Sequence, residues 1–134
     1  MNSSAIKSET NKIQQILKYV FGLVPIAAGA DKFLNLLTQW DSYVHPMVAD
    51  MLPISPSAFM MIVGVIEIAA GIIVLVKTKL GAAIVSAWLL IIALSLLFTG
   101  SHLDVAVRDI VMSITAYLFF RLTILTESFE EAAQ

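Results

Sequence analysis

Four long apolar stretches dominate this chain of 134 residues, over positions 16–37, 58–76, 80–99 and 105–125, and only the third is free of charge. A helix rises about 1.5 Å per residue, so about 20 residues cross the roughly 30 Å of hydrocarbon in a bilayer. Each stretch has that length, and none alternates polar with apolar residues as a barrel strand would. Composition points the same way. Hydrophobic residues make up 59 % of the chain and charged residues 13 %, with a mean hydropathy of +0.90. Soluble domains carry roughly 45–50 % and 25 %, and one this small buries only about two thirds of its surface. The sequence therefore predicts an all-α fold, an integral membrane antiparallel four-helix bundle in contact with lipid.

The connections set its topology. Lys77-Thr78-Lys79 joins the second and third spans, and residues 100–104 join the third and fourth, so both pairs must be antiparallel hairpins. Residues 1–15 and 126–134 read as polar cytosolic tails, and residues 38–57 as a longer outer loop without Lys or Arg. Lys7, Lys12, Lys18, Lys77, Lys79 and Arg121 fall on one side if both termini are cytoplasmic. Basic short loops stay inside, which predicts a multi-pass protein of the cell inner membrane in that orientation. A rival reading makes the first span a signal peptide cleaved after Ala28-Gly29-Ala30. In the outer loop, Trp40 and Tyr43 read as headgroup-level anchors, with a lid over an outward cavity as the alternative.

Eight Lys and Arg against ten Asp and Glu give a net charge of −2, so no nucleic-acid partner is expected. The absence of cysteine excludes thiolate metal sites and Cys-ligated clusters, so any redox role must borrow a cofactor or a partner. His102 and Asp104 alone are too few ligands for a metal site; His45 on the other outer loop offers a third, but no metal is assigned.

Charges placed in hydrocarbon carry the functional signal. Such residues cost roughly 2.5–3.5 kcal/mol each at the centre of a span and usually face the bundle interior. Asp31 and Lys32 lie in the first span, Glu67 near the middle of the second, and Arg108 and Asp109 near the start of the fourth. Their depths predict one polar cluster opening outward, in which Glu67 and Asp109 are the candidates for handling protons and Lys32, Arg108 and Asp31 for binding a ligand. The sum of two positive and three negative charges leads to the expectation that one carboxyl is protonated, with Glu67, the deepest and most desolvated, as the candidate. The alternative is interhelical ion pairing that only fixes helix register.

GADKF at the end of the first span, VIEIAAGIIVL in the second and DVAVRDI in the fourth resemble the DoxX-like family of small four-span membrane proteins. The matching positions are Gly29 with Lys32, Glu67 with Gly71, and Arg108 with Asp109, and the likeness covers roughly residues 16–125. The resemblance implies a four-helix bundle. It also implies kinship with the membrane subunit of a thiosulfate:quinone oxidoreductase and with oxidative-stress complexes. The expected function is thus a membrane subunit of a redox system that binds a quinone and receives electrons from a partner protein, with homo-oligomerisation left open. A proton-coupled carrier of a small solute and a non-catalytic anchor or assembly factor are the alternatives.

Overall fold

The computed structural model describes residues 2–133. Five α-helices account for nearly all of them: α1 (Ser3–Leu34), α2 (Pro46–Met51), α3 (Pro56–Val76), α4 (Thr78–Thr99) and α5 (Leu103–Ala133). A 3-10 turn at Trp40–Tyr43 precedes α2, and no strand occurs among the described residues. The four long helices are apolar enough to cross a membrane, so the chain is a multi-pass all-α membrane protein.

Local signals set the helix ends. Asn2 accepts a hydrogen bond from the Ala5 amide at 2.8 Å, and Ser55 accepts one from Ala58 at 3.2 Å ahead of Pro56. Both are favoured N-cap residues, and Pro fits the first turn because its missing N–H has no helical partner there. Gly100 closes α4 at φ +69°, a left-handed conformation that suits glycine. A single residue, Lys77, separates α3 from α4.

The helices form a closed ring in which each neighbour runs antiparallel: α1 packs on α3, α3 on α4, α4 on α5 and α5 on α1. The α1–α3 contact is the closest. Gly29 of α1 faces Gly64 of α3, and a Cβ built on Gly29 would lie 2.5 Å from the Gly64 carbonyl oxygen. One heptad away, Gly22 and Gly71 make the same contact. Small residues let backbones approach in a membrane, where dispersion and interhelical hydrogen bonds replace the hydrophobic effect as the driving force. On the other side, Ser86 and Ser113 each donate a hydroxyl to the other's carbonyl, at 2.9 and 2.7 Å, and so stitch α4 to α5. Between the pairs, the core is small and tight: Phe21 stacks on Phe119 with centroids 5.5 Å apart, packed with Ala70, Val74, Ala82 and Ala116.

Two boundaries differ from the sequence expectation. Residues 3–15 and 126–133 are helical, as extensions of α1 and α5. They pack on each other: Gln14 donates to Thr123 at 3.4 Å, and the Lys7 ammonium lies 5.5 Å from the Phe129 ring centroid. α1 also ends at Leu34 rather than Leu37, because Asn35 turns left-handed and the Asp31 side chain takes over the next amides. The helix is continuous through Pro25 and through Ala28-Gly29-Ala30, where it is packed against α3.

Candidate functional site

The closest meeting of charges lies between α1 and α3. The Lys32 ammonium donates to Glu67 Oε2 at 2.6 Å, and the two side chains are only 3 % and 15 % exposed. The glycine crossing makes this possible. A Cβ on Gly64, three residues before Glu67, would lie 3.1 Å from Lys32 Cβ, so any larger residue there would push the lysine stem away. Glu67 has eleven residues of α3 before it and nine after, so it sits at mid-helix, and Lys32 reaches it from two residues before the end of α1.

Asp31 performs a different task. Its carboxylate accepts from the amides of Leu36 (3.0 Å) and Leu37 (2.9 Å) and from the Trp40 indole Nε1 (2.8 Å). Both oxygens are therefore engaged in ending α1 and folding the loop, and they are not left for a ligand. The result holds Trp40 with its ring 3.8 Å from the Lys32 ammonium, a cation–π contact in a desolvated setting. Trp40 thus covers the ion pair from the loop side. Tyr43 continues the strap, stacking on His102 of the α4–α5 turn with centroids 4.3 Å apart. His45 Nδ1 accepts from the Met47 amide, and no group of three metal-ligating side chains occurs among the described residues.

Arg108 does not join the cluster. It is exposed and pairs with Asp104 one turn away on its own helix at 3.5 Å, with side chains 75 % and 66 % exposed. The expectation that Arg108 converges with Lys32 and Glu67 is corrected on this point. Successive helical residues point about 100° apart, so its neighbour Asp109 takes the other direction. Asp109 is half-buried and near enough to feel the charges of both Glu67 and Lys32. It joins no salt bridge among the described residues. Lys32 compensates Glu67, so Asp109 is the carboxyl of the three spans' charged set that has no salt bridge or side-chain hydrogen bond among the described residues.

Beside the ion pair lies a cavity of about 150 Å³ that runs from the bundle interior to its outer surface. Phe21, Pro25 and Ala28 line it from α1, Glu67 and Ala70 from α3, Val85 and Trp88 from α4, and Met112 from α5. Glu67 is the one ionisable group on its wall. Trp88, with ten residues of α4 before it and eleven after, has an indole N–H that is buried without a partner. The sequence reading missed Trp88. The available signal was a Trp in mid-span, away from the interfacial depth where Trp is enriched.

The site is therefore a buried Lys–Glu pair, sealed at the loop end by Trp40, with Glu67 also facing an apolar cavity and Asp109 one turn outward from Met112 on α5. Comparisons with protein-family models, curated proteins and solved structures found no match.

Proposed function

We propose that this protein is a membrane subunit of a quinone-linked redox system, of the DoxX-like kind, and that the central cavity receives a quinone headgroup. The observation that carries this reading is Glu67, which belongs at once to the buried Lys32 pair and to the cavity wall. Quinone sites combine an apolar slot with a few polar groups near the ring oxygens. Aromatic and aliphatic side chains supply the slot here, and Glu67 supplies the polar end.

A bound quinone exchanges two electrons and two protons as it is reduced or reoxidised. Electrons come from a partner protein, since a chain without cysteine cannot ligate a cluster through thiolates. The roles of the residues follow from position. Lys32 holds Glu67 Oε2, leaving Oε1 as the oxygen free of that bond. Glu67 passes a proton at that oxygen by general acid–base exchange. Asp109, half-buried and one turn outward, relays protons between Glu67 and the loop-end solvent. The basic residues Lys7, Lys12, Lys18, Lys77, Lys79 and Arg121 gather toward the end that bears both termini, which supports a cytoplasmic placement of that end.

Extraction and mass spectrometry of protein purified from its membrane tests the proposal. Near-stoichiometric isoprenoid quinone is expected, with loss in Glu67→Gln and in Ala28→Phe, which fills the cavity. A wild-type protein free of quinone, taken from a quinone-containing membrane, overturns it. The second reading, a proton-coupled carrier, draws support from the unpaired Asp109. Proton flux in quinone-free liposomes, abolished by Asp109→Asn, would favour it over the first.

A further inference from the structure

We infer that the cavity selects a single-ring, benzoquinone-type lipid over a fused two-ring one, and that this lipid enters sideways from the bilayer between α1 and α5. The inference rests on the quinone reading above and names the substrate class and its path.

Size carries the first part. A dry apolar cavity of roughly 150 Å³ accepts a benzene-sized ring, and this cavity has about that volume. A second fused ring adds four carbons against walls with little freedom to retreat. Phe21 and Val85 are 4 % and 5 % exposed, and Phe21 is braced by its stack on Phe119. Ala70, also buried, is backed by the glycine-mediated α1–α3 contact at Gly71. Only Met112, unbranched and at the rim, can yield.

Exposure carries the second part. Val20, Val24 and Met112 line the cavity yet are 43 %, 59 % and 39 % exposed on the bundle's outer surface. They mark its edge toward lipid. The α1–α5 contacts at Gln14–Thr123 and Phe21–Phe119 lie on the terminal side of Val24 and Met112, whose exposure marks the edge between the two helices as open to lipid. The loop end is covered against a ring instead. Trp40 covers Lys32, and the Tyr43–His102 stack ties the strap across to the α4–α5 turn. A ring whose apolar tail stays among acyl chains fits this arrangement, with only the head inside.

The test uses full-length protein in lipid nanodiscs and two short-tailed probes, a benzoquinone and a naphthoquinone of equal tail length. Saturable quenching of tryptophan fluorescence, above that of empty nanodiscs, reports binding. Wild type is expected to bind the single ring at least about tenfold more tightly, a discrimination that hydrophobic pockets of this kind reach. Met112→Ala, a rim change that leaves the buried core untouched, is expected to bring the two affinities together. Val24→Trp is expected to slow association of the benzoquinone probe, and Tyr43→Ala to leave its rate unchanged. Equal affinities in wild type, or a rate that responds to Tyr43→Ala and not to Val24→Trp, overturn the inference while the quinone reading stands. Saturable binding of neither probe overturns both.

Discussion

The Lys32–Glu67 pair makes a quantitative prediction through a double-mutant cycle. At 2.6 Å and an effective dielectric of about 20, the gross attraction is about 6 kcal/mol. Desolvation of both ions offsets much of that, so the net value of the pair is small. Removing one partner is another matter, because it strands the other charge in a site only 3 % or 15 % exposed. Lys32→Met and Glu67→Met are each expected to destabilise the bundle by about 3–5 kcal/mol. The double variant replaces the pair with two apolar side chains of similar length and should lie within about 1 kcal/mol of wild type or above it. The coupling energy is therefore at least about 5 kcal/mol. Loss of the Trp40 cation–π contact enters the lysine single and the double alike, and it cancels in the cycle. Reversible unfolding in mixed micelles with increasing dodecyl sulfate, followed by circular dichroism, measures all four proteins. Single variants costing under 1 kcal/mol each, or a double variant equal to their sum, would refute a buried, mutually dependent pair.

Other perturbations separate the parts of the structure. Gly29→Ala puts a methyl 2.5 Å from the Gly64 carbonyl and should cost about 1–3 kcal/mol in the same unfolding assay, as overpacking of a rigid contact does. Asp31→Ala leaves two amides and the Trp40 indole without their acceptor; a loss of about 1–3 kcal/mol and a red-shifted Trp40 emission are expected. Arg108→Ala removes an exposed pair and should change stability by less than about 1 kcal/mol and leave quinone content unaltered. Ser113→Ala breaks its hydroxyl bond to Ser86 and should cost about 0.6 kcal/mol, the mean for such bonds in membranes.

The spans were legible because run length alone decides them: no soluble or barrel structure accommodates four apolar stretches of bilayer length. The pairing of Lys32 with Glu67 was half legible. Their depths matched, and Gly29, Gly64 and Gly71 marked faces where helices could close, but nothing in the sequence said that those faces met each other. Arg108 misled for the same reason. Depth along a helix follows from counting residues, whereas direction around it depends on the tertiary rotation that turns Asp109 inward and Arg108 outward. The polar ends of α1 and α5 hid their helices behind composition. Thr10, Gln14, Leu17 and Phe21 nonetheless share one face at helical spacing, the first two and Phe21 buried. The Asp31–Trp40 bond lay out of reach, since it joins a helix end to a loop whose path no periodicity specifies.

A lipid-accessible cavity beside a buried ion pair is directly open to carbene footprinting. A small apolar diazirine, dissolved in the bilayer of nanodiscs and photolysed, labels whatever it reaches. Ala70 and Val85, each 5 % exposed and far from the outer helix faces, should be labelled along with the rim at Val24 and Met112, and the labelling at these two should vanish in Ala28→Phe. Label confined to outward side chains such as Val24, Leu90 and Leu118, with Ala70 and Val85 untouched, would contradict it.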